Sequence, residues 1–586
     1  MNITPKFTAA LLLVTIATAA EAVPPQVVTR TPARQKIDAS PQTNIQVTFN
    51  TNIDPASVNA ISFRVFGRWS GPASGTYNVT GSTVTFTPSE PFFWGEYVTV
   101  WLSKGIKSTL AEPMALGHAW SFWTRSASST LNLTYVTRYD TRLPLDSWVQ
   151  PYGAYAGDIN NDGWCDLFIP CEQTDDIRIF MNNGAGLYPG GFTRKTPANT
   201  DTPSPNEAGD FDNDGEIDIA IGNVTNNRVT VMFGDGTGNF PTNTSLTVAE
   251  VSVRGVGVLD LNGDGWDDIV ASAKINGGKT CVFLNNGNGT FAPKVDLEAN
   301  VLGEWGIAVA DINNDGIMDV FLSNYDAPRN ITVLLGNGTG GLVAQTPVPT
   351  SGQPWMLAAG DLNGDGNVDV CTANASGNGV GIHFGNGAGG ISAVVTKAVG
   401  MFPLAIDVGD IDGDKDLDLV SSNYNSATWT LWENAGTGSF VNPRTLAASS
   451  AASCATLHDR DNDGDMDLTG LDEVDDWVYL YENNATPTDT APVPASLVLE
   501  QNQPNPFNPY TTIHFDLPSR GDVELAVYDA TGARVSTIAS GLYEAGPHNV
   551  RWNGTDGNGT RVASGVYFYR LRANGSELVR KMTLLK

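Results

Sequence analysis

Residues 209–223 read GDFDNDGEIDIAIGN, with carboxylates at Asp210, Asp212, Asp214 and Asp218 and a turn glycine at Gly215. Hard oxygen donors at alternate positions around a sharp turn suit Ca²⁺. An EF-hand would also need a bidentate Glu at position 12 and flanking helices. Position 12 here is Ile221, and the flank DIAIG is strand-like. The chemistry on offer is a cation site on a strand-flanked loop; the alternative is a solvated acidic turn.

The loop recurs six more times. Taking positions 1, 3, 5, 7 and 9 in order, the first copy holds Asp158, Asn160, Asp162, Trp164 and Asp166, and the second Asp210, Asp212, Asp214, Glu216 and Asp218. The third holds Asp260, Asn262, Asp264, Trp266 and Asp268, and the fourth Asp311, Asn313, Asp315, Ile317 and Asp319. The fifth holds Asp361, Asn363, Asp365, Asn367 and Asp369, the sixth Asp410, Asp412, Asp414, Asp416 and Asp418, and the seventh Asp459, Asp461, Asp463, Asp465 and Asp467. Successive copies start 52, 50, 51, 50, 49 and 49 residues apart, and none has an acid at position 12. A period near 50 means one structural unit repeated, and seven in-register acidic loops favour metal binding over chance.

The elements that position each loop are short strands. In the second unit the loop runs into DIAIGN, then RVTVMF, then the Gly-rich turn GDGTGNF. Each unit thus supplies about four strands, and seven such units around an axis make a β-propeller. The seventh unit ends at VYLYENN without its outer strand, while LNLTYVTRY (131–139) stands spare before the first loop. We expect that spare strand to complete the last blade and latch the ring.

Residues 131–484 resemble the FG-GAP/VCBS repeat family, the kind seen in integrin α-subunit propellers. The resemblance implies that positions 1, 3, 5 and 9 bind Ca²⁺ through side chains and position 7 through its carbonyl, giving up to seven structural ions. Extracellular sites of this kind bind at roughly 10⁻⁴–10⁻³ M. At tenfold excess each ion would add about 1.4 kcal/mol. Three loops depart from the pattern, with Asp267 at position 8 of the third, Lys415 in place of Gly at position 6 of the sixth, and Arg460 at position 2 of the seventh. These are expected to bind most weakly.

The expected fold class is therefore all-β, a seven-bladed calcium-binding β-propeller flanked by two Ig-like β-sandwich domains. Residues 23–125 alternate as NIQVTFNTNIDPASV, GSTVTFTPSEPFFWGEYVTVWLSKGIKS and HAWSFWT, and resemble the bacterial Ig-like domain of S-layer-type proteins, which implies a spacer or adhesive module. After a Pro/Thr/Ala linker at 485–497, residues 498–586 resemble the sorting domain of type IX secretion cargo, itself related to an Ig-like domain of flagellar hook-capping proteins. That implies the secretion machinery as a partner. The stretch from Arg551 to Lys586 has seven Lys/Arg against two Asp/Glu, which suits a docking surface. Arg520-Gly521-Asp522 reads as a hairpin turn rather than an adhesive tripeptide.

Residues 1–22 read as a signal peptide, with Lys6, an apolar core from Phe7 to Ala20, and the A-x-A site Ala20-Glu21-Ala22. The chain is thus expected to be exported, secreted or on the outer surface of a Gram-negative bacterium, as a monomer without a transmembrane segment in its mature form. A net charge of −30 argues against a nucleic-acid partner. Cys165 and Cys171, six apart in a strand, would lie about 20 Å apart, too far for a bridge, so buried thiols are expected for these and for Cys281, Cys371 and Cys454.

No catalytic motif such as HExxH or GxSxG is present, and His383 occupies a slot that is Phe, Met or Leu in the other units. Six residues before each loop, on the face opposite the metals, lie Tyr152, Ser204, Arg254, Trp305, Trp355, Leu404 and Ser453, with Phe402 nearby. Tyr152, Arg254, Trp305, Trp355 and Phe402 could stack on an extracellular glycan or protein ligand, or could plug the channel. A non-catalytic binding protein is favoured. A sugar lyase on the same scaffold is the alternative, with Tyr152 and Arg254 the only ring positions offering a base and a neutralising charge.

Overall fold

The computed structural model describes residues 22–248, 252–274, 279–297, 304–484, 497–499, 501–502, 505–518, 521–543, 546–557, 560–573 and 575–585. Residues 1–21 of the expected signal peptide, residues 485–496 of the expected linker and Arg520 of the Arg-Gly-Asp stretch lie outside them. Among the described residues there is no α-helix, only strands and two short 3₁₀ turns.

Seven four-stranded sheets occupy residues 134–482 of the described chain, six of them with their strands in sequence-adjacent order and the fourth carrying one extra short strand. The second sheet is typical, with strands Pro203–Gly209, Asp218–Asn223, Arg228–Phe233 and Thr242–Thr247. The acidic loop joins its first and second strands. The second strand of every sheet, from Asp166–Cys171 to Asp467–Asp472, is buried along its whole length. That explains the run of apolar and small residues instead of alternation, because both faces pack against neighbouring sheets.

The seventh sheet takes its fourth strand from the other end of the repeats. Thr134–Asp140 pairs antiparallel with Trp477–Glu482, with Thr137 opposite Leu480 and Asp140 opposite Trp477. The first strands of consecutive sheets lie side by side, and Tyr155–Gly157 of the first sheet neighbours both Pro203–Gly209 and Ala452–His458 of the seventh. A side-chain clasp joins the same two sheets: Asn182 Nδ2 donates to the carbonyls of Cys165 (3.1 Å) and Arg460 (3.0 Å). Asn285, Asn434 and Asn483 make the equivalent link to Phe211, Leu362 and Ile411 of the preceding sheet.

The N-terminal sandwich packs two four-stranded sheets around Phe63, Phe86, Trp120 and Phe122. The C-terminal sandwich packs a three-stranded and a four-stranded sheet around Ile513, Phe515, Trp552 and Tyr569. All five cysteines are buried and none is in a disulfide, and His383 is fully buried with Nδ1 2.9 Å from the Ser392 carbonyl.

Asn182→Ala would strand the buried Arg460 carbonyl between the first and last sheets, while the Cys165 carbonyl keeps its bond from Tyr188 Oη, at a cost of about 1–3 kcal/mol. Urea denaturation should show a loss of that size. An unchanged midpoint would mean that the clasp does not hold the two sheets together.

Candidate metal loops and the face they build

Each loop is shaped by its own backbone hydrogen bonds. The position 5 aspartate accepts from the position 7 amide in all seven copies, at 2.8–3.2 Å. Position 6 has a left-handed backbone throughout, with φ between 80° at Lys415 and 100° at Gly464. Position 4 is also left-handed in every copy and is Asn or Gly in every copy, the residue types that tolerate it. The Asn or Gly at position 4 is thus a second turn signal carried by the sequence beside the acids.

The position 9 aspartate does more than face a cation. Its Oδ1 accepts the amide of the residue closing the far hairpin in all seven sheets, for example Asp218 from Gly234 at 2.8 Å and Asp467 from Asn483 at 2.8 Å. In five sheets Oδ2 accepts the position 2 amide as well, as Asp418 does from Ile411 at 3.0 Å. In the seventh, Arg460 Nε lies 3.4 Å from Asp467 Oδ2 instead, and the same guanidinium pairs with Glu482.

The residues fit a divalent cation. Ligand oxygens of Asp210, Asp212 and Asp218, of Asp410, Asp412 and Asp418, and of Asp459, Asp461 and Asp463 lie within 4.8 Å of one another, as do those of Asp461, Asp467 and Glu482. Asp311 Oδ1, Asp410 Oδ2, Asp459 Oδ1 and both oxygens of Asp465 are buried without a hydrogen-bond donor. Burial, then the neighbouring carboxylates, pushes Asp158 up to about 7 and Asp465 up to about 9. Burial likewise raises Asp410 to about 8, with its neighbouring carboxylates adding to the shift. Oxygens so crowded and desolvated need a cation or a proton. Positions 1, 3, 5 and 9 and the position 7 carbonyl would hold the ion, which would supply fixed positive charge to the turn.

The three irregular loops have structural reasons. Asp267 turns away from its loop and forms a buried bidentate pair with Arg64 of the N-terminal sandwich, at 2.6 and 3.0 Å. It therefore gives no reason for a weak third loop. Lys415 keeps the left-handed backbone of the glycine it replaces, and its Nζ lies 3.7 Å from Asp38 of the same sandwich. Arg460 places a cation beside the seventh site.

The loop face is covered. The N-terminal sandwich is no free spacer: its Trp69 carbonyl accepts from Asp158 N (2.7 Å), its Lys104 and Ala119 amides donate to the carbonyls of Gly263 (2.8 Å) and Gly316 (2.6 Å), and Arg34 reaches the Gly366 carbonyl (2.9 Å). Just beyond it, Ala127 and Ser129 donate to the carbonyls of Gly464 (2.7 Å) and Asp412 (2.8 Å).

At the centre of the first strands is a cavity of about 340 Å³, with Arg68 of the sandwich at one end. Arg68 pairs bidentately with Asp407 at 2.9 and 3.1 Å, and its carbonyl accepts from Tyr155 Oη at 2.9 Å. Enclosure by protein pushes the nearby Glu207 up to about 7 against the pull of Arg68. At the other end, the sequence-expected mouth residues do come together. Trp305 contacts Trp355 (4.5 Å) and Tyr325 (4.6 Å), Trp355 contacts Phe402 (5.8 Å), and Phe402 contacts Tyr424 (6.3 Å). Arg254 and Lys274 lie over the Trp305 ring at 4.9 and 4.4 Å. Trp305 is only 4 % exposed, and Trp355 Nε1 donates to Tyr152 Oη at 2.6 Å. Those rings are part of the wall. Tyr325, Tyr424 and Lys274, which sequence reasoning missed, extend the arc and are half-buried. Burial drives the Tyr152 phenol well above its usual range, which keeps it protonated beside Trp355.

The FG-GAP-like repeat family matches residues 158–221, 210–271, 260–322, 311–372, 361–421 and 410–469, together more than half of the chain. The chain belongs to the FG-GAP-like repeat family. Each match runs from one loop into the next, so six matches span all seven loops. A bacterial Ig-like domain matches residues 21–124, and the FlgD Ig-like domain matches 508–577. Repeats and Ig-like domains of these kinds are typical of extracellular, adhesion-type proteins. No curated protein matches.

Among solved structures, BBS1N in complex with ARL6DN, soaked with lead, is similar over 62 % of this chain and 99 % of that one, at 12 % identity and a TM-score of 0.43. An Agrocybe aegerita lectin, described for specific recognition of non-reducing terminal N-acetylglucosamine, is similar over 52 % and 82 %, at 20 % identity and 0.35. A functionally unknown protein from Desulfotomaculum acetoxidans DSM 771 is similar over 64 % and 96 %, at 12 % and 0.37. At these scores none bears on function. Among the described residues no helix is long and apolar enough to cross a membrane.

Lys415→Gly should stabilise the protein by about 1 kcal/mol, because a non-glycine residue held left-handed costs about that much. The pairing lost with Asp38 is largely exposed and worth little. A lower melting temperature for K415G would show that the Asp38 contact outweighs the backbone term.

Proposed function

We propose that this protein is a calcium-stabilised seven-bladed β-propeller, exported to the cell surface or the medium, that binds an extracellular glycan or protein without catalysis. The observation that carries the binding reading is the arc Tyr325–Trp305–Trp355–Phe402–Tyr424 with two cations over one of its rings. Pre-packed rings lose little entropy when a sugar or side chain stacks on them. The face they occupy is also the one that the N-terminal sandwich leaves uncovered. The metal reading is supported by the buried, donor-less carboxylate oxygens, and the ring reading by the Thr134–Asp140 strand and the Asn182 clasp. The locally basic FlgD-like domain would serve as the export signal of a type IX system, in a Gram-negative host.

Because Trp305 is buried, Trp→Ala changes confound binding with the roughly 3–5 kcal/mol cost of emptying a core site. The half-buried Tyr325 and Tyr424 separate the two. Full-length protein in millimolar Ca²⁺ should bind a defined class on a glycan array. Tyr325→Ala with Tyr424→Ala should lose most of that binding while melting within a few degrees of the parent. Retained binding in the double variant would remove the arc as the site. Chelation should lower the melting temperature of the parent by many degrees, and an unchanged melting curve in EDTA would remove the metal.

A further inference from the structure

We infer that the N-terminal Ig-like sandwich is a cation-linked stopper: ions in the loops and docking of the sandwich stabilise each other, so that cation removal releases it from the ring. This rests on the proposed cation-binding role of the loops. Three independent features support it.

The first is where the sandwich touches. It meets the backbone of the loops themselves, at Asp158, Gly263, Gly316 and Gly366, and the adjoining segment meets Asp412 and Gly464. In the second loop, Ile217 lies against Gly71, where an added Cβ would come within 2.4 Å of it. All seven loops are therefore in contact with residues 34–129. A loop carbonyl can accept from the sandwich only while the loop holds its turn.

The second is the residue at position 8, immediately before the last ligand. Cys165, Leu417 and Met466 share one apolar cluster with Trp69 and Trp123 of the sandwich, and Met318 shares another with Trp101 and Ala119. The one charged member of the series, Asp267, is met by Arg64 of the sandwich, itself buried. An apolar series with a single acid, answered by apolar rings and a buried base placed opposite that acid, is a fitted interface.

The third is the channel wall three residues before each loop. Tyr155, Glu207, Gly257, Ala308, Ala358, Asp407 and Thr456 occupy that layer. Its three large members are the ones that receive Arg68: Asp407 pairs with it, Tyr155 donates to its carbonyl, and Glu207 lies within its field. The wall is shaped around a residue of another domain.

Linked equilibria are reciprocal, and coupling between linked sites spans about 5–150-fold. Calcium affinity is therefore compared by chelator competition in the full-length protein and in Arg64→Ala with Arg68→Ala. Both side chains lie on the sandwich surface and outside its core. The variant should bind calcium about tenfold more weakly, and unchanged affinity would overturn the linkage. Hydrogen exchange on the unmodified protein gives a second reading that needs no variant. In chelator, the amides of Lys104, Ala119, Ala127 and Ser129 should lose protection, while those in Ile45–Phe49 and Tyr97–Leu102 inside the sandwich keep it. Protection of the joint amides that survives chelation would overturn the proposal while leaving calcium binding intact. Failure of the parent to bind calcium at all would overturn both readings together.

Discussion

One buried aspartate per sheet carries the repeat. At position 9 a single carboxylate takes the amide that closes the far hairpin and, in most sheets, the amide that opens the loop. Loop, second strand and third strand are thereby fixed to one side chain. Two charge-assisted hydrogen bonds in a buried setting are strong, but a lone buried carboxylate is costly. The cost is compounded because positions 1, 3 and 5 bring further carboxylates to the same turn. A cation at the centre of that group would resolve the conflict.

Against so regular a frame, the irregular residues are informative. Asp267, Lys415, Tyr155, Glu207 and Asp407 each break the pattern of their position, and each faces the N-terminal sandwich. Arg460 breaks it at the junction where the last sheet meets the first, beside the Asn182 clasp. Symmetry specifies how one sheet follows another. Departures from it specify which sheet faces which part of another domain, something a symmetric ring could not encode.

This also sets what was legible in the sequence. The unit, its strands, the loop geometry and the supply of the last strand from residues 134–140 all follow from a period of about 50 residues, because repetition averages out local ambiguity. The Asn or Gly at position 4 was equally legible and carries φ information that acid-counting ignores. The cover over the loop face was not legible. An interface between a repeat and a non-repeat has no period, and Arg64 gives no hint of Asp267, 203 residues away. The mouth was half legible: its ring positions could be counted, but the near-complete burial of Trp305 depends on Tyr325, which comes from a different strand connection.

The two faces of the repeats therefore do different work. On the loop face, backbone carbonyls that a cation would rigidify are taken up by a second domain, and the channel end is filled by the Arg68–Asp407 pair. On the far face, Tyr325 stacks on Trp305, while Trp355, Phe402 and Tyr424 continue the arc; Arg254 and Lys274 lie over its Trp305 end, and no domain of the described chain lies over it. Rigidity reaches that face through the first strands, which begin among the aromatic residues and end at the loops. A ligand stacking on Tyr325 or Tyr424 would meet a surface whose geometry is set some twenty ångströms away, at roughly 3.3 Å per strand residue, by the carboxylates and whatever neutralises them. If the loops hold cations, their occupancy, the domain cover and the shape of the aromatic face would be linked through the same strands.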